Sequence, residues 1–198
     1  MHLSLNDVEL PVRLRFERPL TDEELLRFSA ENEPWRMERE ANGELIVMSP
    51  NGGEGGSLEA AVGAMLWTWA REDGRGKVFS SNAGFRLEDG SVRAPDASWV
   101  SFGRWNLLTV EQRKKYPPLC PEFVIEVRSE TDRLGALEEK MEMWVGNGAE
   151  VAWLIDPLRK VVAVYRRGEE REVFEDPTSV QGTGAVRGFE RVWGRVGG

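Results

Sequence analysis

The stretch PEFVIEVR, residues 121–128, has the apolar density of a strand covered on both faces, yet Glu126 stands inside it between Ile125 and Val127. Alternate residues share a strand face, which puts Glu126 with Val124 and Arg128. A buried carboxylate costs on the order of several kcal/mol unless it is paired, hydrogen-bonded or bound to a cation. Something must stand beside it.

Two other charged residues qualify by type and place. Lys140 falls within the apolar stripe Leu137, Met141, Trp144 and Val145 of a helix expected over about 132–146, while Glu138, Glu139 and Glu142 take its polar sides. It is roughly 12 Å along that helix, and Glu126 is roughly 7 Å below the end of its strand, so a helix folding back on the strand brings the two within a lysine's reach. Snorkelling to solvent is the other placement that this periodicity allows. Asp96, in RAPDASWV, opens a further strand after a proline, an ordinary turn position when taken alone.

Taken together, two acids and a lysine suggest chemistry. Neighbouring carboxylates raise each other's pKa unless a divalent ion holds both, which is how hard-metal sites are built. A cation on Asp96, Glu126 and the Val127 carbonyl would activate a water and neutralise charge on a phosphate, with Lys140 orienting the water or stabilising the transition state. The same residues also allow a purely structural ion pair from Glu126 to Arg128 or Lys140.

Composition narrows the field. With one cysteine, Cys120, and one histidine, His2, the chain cannot build a disulfide framework, a structural zinc site, a Ser-His-Asp triad or a Cys-His pair. The formal charge of -8 argues against coating nucleic acid by bulk electrostatics, although 26 Lys and Arg leave room for a local basic groove, with Arg13/Arg15/Arg18 and Arg113/Lys114/Lys115 as clusters. No run approaches the ~18 apolar residues of a membrane span and the start lacks a signal-peptide pattern, so a cytoplasmic protein without a membrane partner is expected.

The elements that must position these residues follow from pattern. The 198 residues read as a single domain, 1–198, with no repeat or linker. Thr21 and Glu24 have capping-box spacing for a short helix over about 21–31. Asn42-Gly43 marks a hairpin, NGGEGG a flexible turn, and Leu58, Ala61, Val62, Met65, Leu66 and Trp69 recur at helical spacing. Extended segments follow at about 77–80, 84–88, 96–102, 122–128, 151–156 and 160–166, and the Gly-rich tail from about 177 is expected to be peripheral. The order gives an α/β fold, a mixed sheet with few helices, in which 122–128 and 151–156 are parallel and central. Ser129 and Asp132 are placed to cap the helix carrying Lys140. The eight tryptophans are mostly core material, with any exposed one a base-stacking candidate.

The stretches ANGELIVMSP, GGEGG, SNAGFRL, RAPDASWVS, PEFVIEVRSETD, the lysine of EEKMEMW, and NGAEVAWLIDP followed by VVAVYR occur in one order over about 35–167. In this the chain resembles the Uma-two family of putative restriction endonucleases, within the PD-(D/E)XK nuclease superfamily. The resemblance implies a restriction-endonuclease-like mixed β-sheet core flanked by helices, a Mg2+ or Mn2+ site, DNA as substrate and a homodimer. By position Asp96 matches the PD acid, Glu126 the second acid, and Glu54 the acid before the first core helix, where a solvated loop residue is the plainer reading. Arg128 stands where the superfamily carries lysine, and arginine does not transfer protons near neutrality, so the lysine role passes to Lys140. A module that keeps the fold without turnover is the alternative.

Overall fold

Apart from Glu126, residues 123–127, 151–155 and 162–165 are apolar at both strand parities because both faces of their sheet are covered. In the computed structural model, which describes residues 2, 3, 5 and 8–192, the chain runs β1 (Val12–Leu14), α1 (Asp22–Glu31), β2 (Arg36–Arg39), β3 (Leu45–Met48), α2 (Gly53–Asp73), β4 (Gly76–Ser80), β5 (Phe85–Arg86), β6 (Val92–Arg93), β7 (Ala97–Ser101), α3 (Phe102–Trp105), α4 (Val110–Arg113), β8 (Phe123–Val127), α5 (Leu134–Gly146), β9 (Val151–Asp156), β10 (Val161–Arg166), β11 (Glu172–Glu175), β12 (Ser179–Gln181) and β13 (Glu190–Val192).

The central sheet has the order β11-β10-β9-β8-β7-β4, with β8 and β9 parallel in the middle and the remaining neighbours antiparallel. Val62, Leu66 and Ala70 of α2 pack on the face made by Ala97, Trp99, Phe123, Ile125, Trp153 and Ile155. Met141, Trp144 and Val145 of α5 pack on the opposite face, against Val124, Ala152 and Leu154. The alternation along β8 therefore aims Val124 and Glu126 toward α5, and Phe123, Ile125 and Val127 toward α2.

A second sheet, β1-β3-β2-β6-β5, is built by the N-terminal hairpin, with Gly43 at φ +87 in its turn. This position needs a glycine, since the left-handed region is closed to most side chains. Leu25 and Phe28 of α1 close its core with Leu45 and Val47, and the expected capping box of Thr21 and Glu24 is present.

Three local expectations give way. The GEGG segment is the first turn of α2 rather than a flexible turn, because burial of the helix's apolar stripe outweighs the low propensity of glycine. Ser129 and Asp132 do not cap α5, whose N-cap is Arg133; they close their own turn, the Ser129 N–H and hydroxyl donating to Asp132 Oδ2 at 2.8 and 2.7 Å. Residues 178–192 are not peripheral, while the rest of the expected tail lies outside the described residues: Val180, Val186 and Phe189 are buried, and the Phe189 ring lies 5.3 Å from Trp153 and 5.7 Å from both Phe123 and Trp69. Its glycines mask three anchors that cover the α2 face of the sheet. No described helix is long and apolar enough to cross a membrane.

Candidate active site

β7 and β8 pair antiparallel with Ala97 opposite Ile125, and continuing that register by one step sets Asp96 opposite Glu126. Residues so paired have neighbouring side chains. The strand ends thus bring together two acids that are 30 positions apart. The Val127 N–H donates to Asp96 Oδ2 at 2.8 Å and holds that carboxylate at the end of β8.

Lys140 comes down from α5 to meet them. Its Nζ is 2.9 Å from Glu126 Oε1 and 3.0 Å from Glu38 Oε1, and the Trp144 indole N–H donates to Glu126 Oε1 at 2.8 Å. Lys140 and Trp144 lie four apart on one helix face, so both reach the same oxygen. Glu38 is a buried acid of β2 that also accepts from Arg93 at 3.0 Å and from the Ala94 N–H at 3.1 Å. Neither Glu38 nor its strand neighbour Arg36 is apparent from pattern, because β2 belongs to the other sheet. Arg36 Nη2 is 3.4 Å from Asp96 Oδ1, and its Nη1 is 3.8 Å from Glu59 Oε2.

Burial sets the electrostatics. It pushes the Glu126 carboxyl up to about 7, opposed by the Lys140 charge and reinforced by Asp96 and Glu38. Asp96 is raised for the same first reason, against the Lys140 charge and the Val127 N–H. Burial also raises Glu38, but Lys140 and Arg93 outweigh it and leave this acid below its ordinary value. For Lys140, burial works to lower the ammonium, and Glu126, Glu38 and Asp96 together overcome it and raise it. The cluster is an ammonium held by one firmly ionised acid, beside two acids that resist ionisation.

The remaining expected residues go elsewhere. Glu54 is exposed in the first turn of α2 and makes no ion pair among the described residues. Glu59, five residues further along the helix, faces Arg36 and accepts from the Asn51 side chain. The acid of α2 nearest the cluster is therefore Glu59, which helical period could have indicated, since it follows Leu58 and precedes Val62. Arg128 turns to Asp156 at 2.9 Å on the adjacent strand, with its remaining nitrogens near the Asp132 carbonyl at 3.4 Å. Asp156 is buried and needs a counter-charge, so Arg128 braces the β8 and β9 ends rather than reaching Asp96 or Glu126.

Asp96 and Glu59 line a groove of about 750 Å³ between α2 and β4, together with Trp67, Phe79, Ser80 and Ser81. Trp67 is 52% exposed there, with the Arg71 guanidinium 4.8 Å above its ring. Trp99, Trp105, Trp144 and Trp153 are core residues, Trp35 and Trp69 are half-buried, and Trp193 lies outside the described residues. Both basic clusters are paired with surface acids, Arg13 with Glu40 at 2.9 Å and Lys115 with Glu23 at 2.6 Å, so neither is a free positive face.

Among the described residues no group of three or more His, Cys, Asp or Glu side chains is arranged to hold a metal ion. Magnesium-type ions do not require one: they take one or two carboxylates and complete their shell with water and phosphate oxygens. Two hard-oxygen donors in register, both raised by burial and therefore favoured by a nearby cation, fit such an ion.

The sheet and its flanking helices define an α/β protein with the restriction-endonuclease-like fold. A crystal structure of a putative nuclease from Anabaena variabilis is similar over 85% of this chain and 92% of that one, with a TM-score of 0.69 and 22% identity, a likeness of fold. A cryo-electron-microscopy structure of a DrdV–DNA complex matches 60% of this chain and 10% of that chain at a TM-score of 0.40 and 18% identity. No protein of curated function matches. Residues 22–194 match the family Uma2, described as "Putative restriction endonuclease", and the chain belongs to that family.

Proposed function

We propose that the protein is a divalent-metal-dependent DNA endonuclease that hydrolyses phosphodiester bonds by in-line attack of an activated water. The observation that carries this reading is Asp96 held at the end of β8 by the Val127 N–H at 2.8 Å, with Lys140 Nζ 2.9 Å from Glu126 on the same strand. The family description and the nuclease fold support it.

Asp96, Glu126 and the Val127 carbonyl would hold Mg2+ or Mn2+, which would supply Lewis-acid charge to the phosphate oxygens and lower the pKa of water. Lys140, 2.9 Å from Glu126, is placed as a positive donor that orients water or stabilises charge developing on the phosphate. Trp144 fixes the Glu126 carboxylate by its N–H bond, and Glu38 holds Lys140 from the other side. In this reading two subunits pair so that both DNA strands are cut, and the enzyme works in the cytoplasm.

A second reading, a DNA-binding or structural module without turnover, is favoured by Arg128 being committed to Asp156 and by the net charge of -8. Incubation of supercoiled plasmid with Mg2+ or Mn2+, beside Glu126→Gln and Lys140→Ala, separates them. Metal-dependent nicking or linearisation that disappears in both variants is expected. A wild-type protein that neither cuts nucleic acid nor binds Mn2+ would sink the nuclease reading.

A further inference from the structure

Arg36 is held to the acidic cluster by one long hydrogen bond, its Nη2 donating to Asp96 Oδ1 at 3.4 Å. Its separations of 3.4 Å from Asp96 and 3.8 Å from Glu59 exceed the roughly 2.7–2.9 Å of a charge-assisted hydrogen bond. Neighbouring cations are held more tightly. Arg39, on the same strand, bonds Leu20 O at 2.7 Å, Asp22 at 2.8 Å and Gly90 O at 2.9 Å; Arg93 bonds Glu38 at 3.0 Å and also Glu40. Lys140 is at 2.9 Å from Glu126.

The place Arg36 occupies matters as much as its looseness. Its guanidinium lies between carboxylates from two elements, Asp96 before β7 and Glu59 on α2, and both acids line the groove between α2 and β4. The side chain is 23% exposed, which leaves it a direction in which to move. A divalent cation on Asp96 would meet a resident positive charge within a few ångströms, and like charges at that range repel strongly in a partly buried setting. A planar guanidinium displaced toward the groove carries the fork of donors that matches phosphate oxygens.

We propose that Arg36 is a displaceable counter-charge: it yields Asp96 to the divalent cation, and its freed guanidinium then binds the substrate phosphate. The proposal rests on the nuclease reading above. It makes Arg36 oppose metal binding and favour catalysis, a pair of opposite effects that a structural ion pair does not have.

The test is calorimetric titration of Mn2+ into wild type, Arg36→Ala and Arg36→Gln without DNA, followed by plasmid cleavage at saturating Mn2+. Arg36→Gln keeps most of the side chain's packing, and thermal melting shows which variant is folded. Removal of the guanidinium is expected to tighten Mn2+ binding by about fivefold or more, the scale of a partly solvated charge interaction. Cleavage is expected to fall by about a hundredfold, the scale of one lost transition-state donor. Unchanged or weaker Mn2+ binding in a folded variant overturns the proposal while leaving the nuclease reading intact. No Mn2+ binding by wild type or by either variant, together with no cleavage, overturns both.

Discussion

Glu38 and Lys140 are 102 positions apart in the chain, yet a hydrogen bond of 3.0 Å joins them. One belongs to the five-stranded sheet and the other to the helix packed on the central sheet. Their contact fastens the two sheets together at the cluster and divides the Lys140 ammonium between Glu38 and Glu126.

Glu38→Gln removes the acid that serves both Lys140 and Arg93 and is expected to cost about 3 kcal/mol at pH 7, toward the low end for a broken buried pair because Glu126 and Glu40 remain. The Glu38 carboxyl is held below its ordinary value of 4.5, so its stabilisation is complete above that pH and is lost as pH falls through the folded-state pKa. Urea denaturation at pH 7 and at pH 3 should show the deficit of the variant shrinking in acid. An equal deficit at both pH values would mean that the ion pairs are not its source.

Trp144→Phe keeps most of the ring volume against Val124 and removes the indole N–H that bonds Glu126. A loss of about 2 kcal/mol is expected, typical of hydrogen bonds to charged groups. Chemical denaturation of the variant measures it directly, and a neutral result would show that Lys140 alone satisfies Glu126.

The two acids near the start of α2 should separate in activity. Glu59→Gln is expected to slow plasmid cleavage by at least about tenfold, the scale of residues that support a metal site. Glu54→Gln should leave the rate unchanged, since Glu54 is exposed and makes no ion pair among the described residues. Equal losses in the two variants would contradict the placement of Glu59.

Phe189→Ala should cost about 3–5 kcal/mol, as for other large aromatic deletions in a core, because the ring packs on Trp69, Phe123 and Trp153. Urea unfolding tests whether the C-terminal segment belongs to the main cooperative unit. A loss below 1 kcal/mol would return it to the periphery.

Cys120 is buried and its thiol is pushed up to about 12 by that burial. Thiolate is the reactive form, so iodoacetamide at pH 8 should label the native protein only at the rate of unfolding and label it fully in urea. Rapid labelling of folded protein would contradict the packing of the thiol beneath α5.

Glu126 and Lys140 are readable in the sequence because each interrupts a regular pattern, whereas Asp96 is an ordinary turn residue that gains meaning only beside them. A carboxylate in an apolar strand and a lysine in an apolar helical stripe are local anomalies, visible over a few residues. The parallel pairing of β8 and β9 is legible for the same reason, since a strand, a helix and a strand in succession leave little other choice. The capping box of α1 and the Asn42-Gly43 turn are likewise local chemistry.

What tertiary structure decided is which distant charges meet. Arg36 and Glu38 look like alternating surface residues of an exposed hairpin until the hairpin's sheet is laid against α5 and β7. Glu59 rather than Glu54 faces Arg36 because α2 begins earlier than its apolar stripe, and Arg128 turns away because Asp156 lies beside it across a parallel register. The buried anchors beyond 177 are hidden among glycines and polar residues, where composition carries no sign of the surface they cover. Periodicity records the face on which a residue lies within its own element; which element covers that face depends on contacts between segments far apart in the chain, and those leave no local pattern.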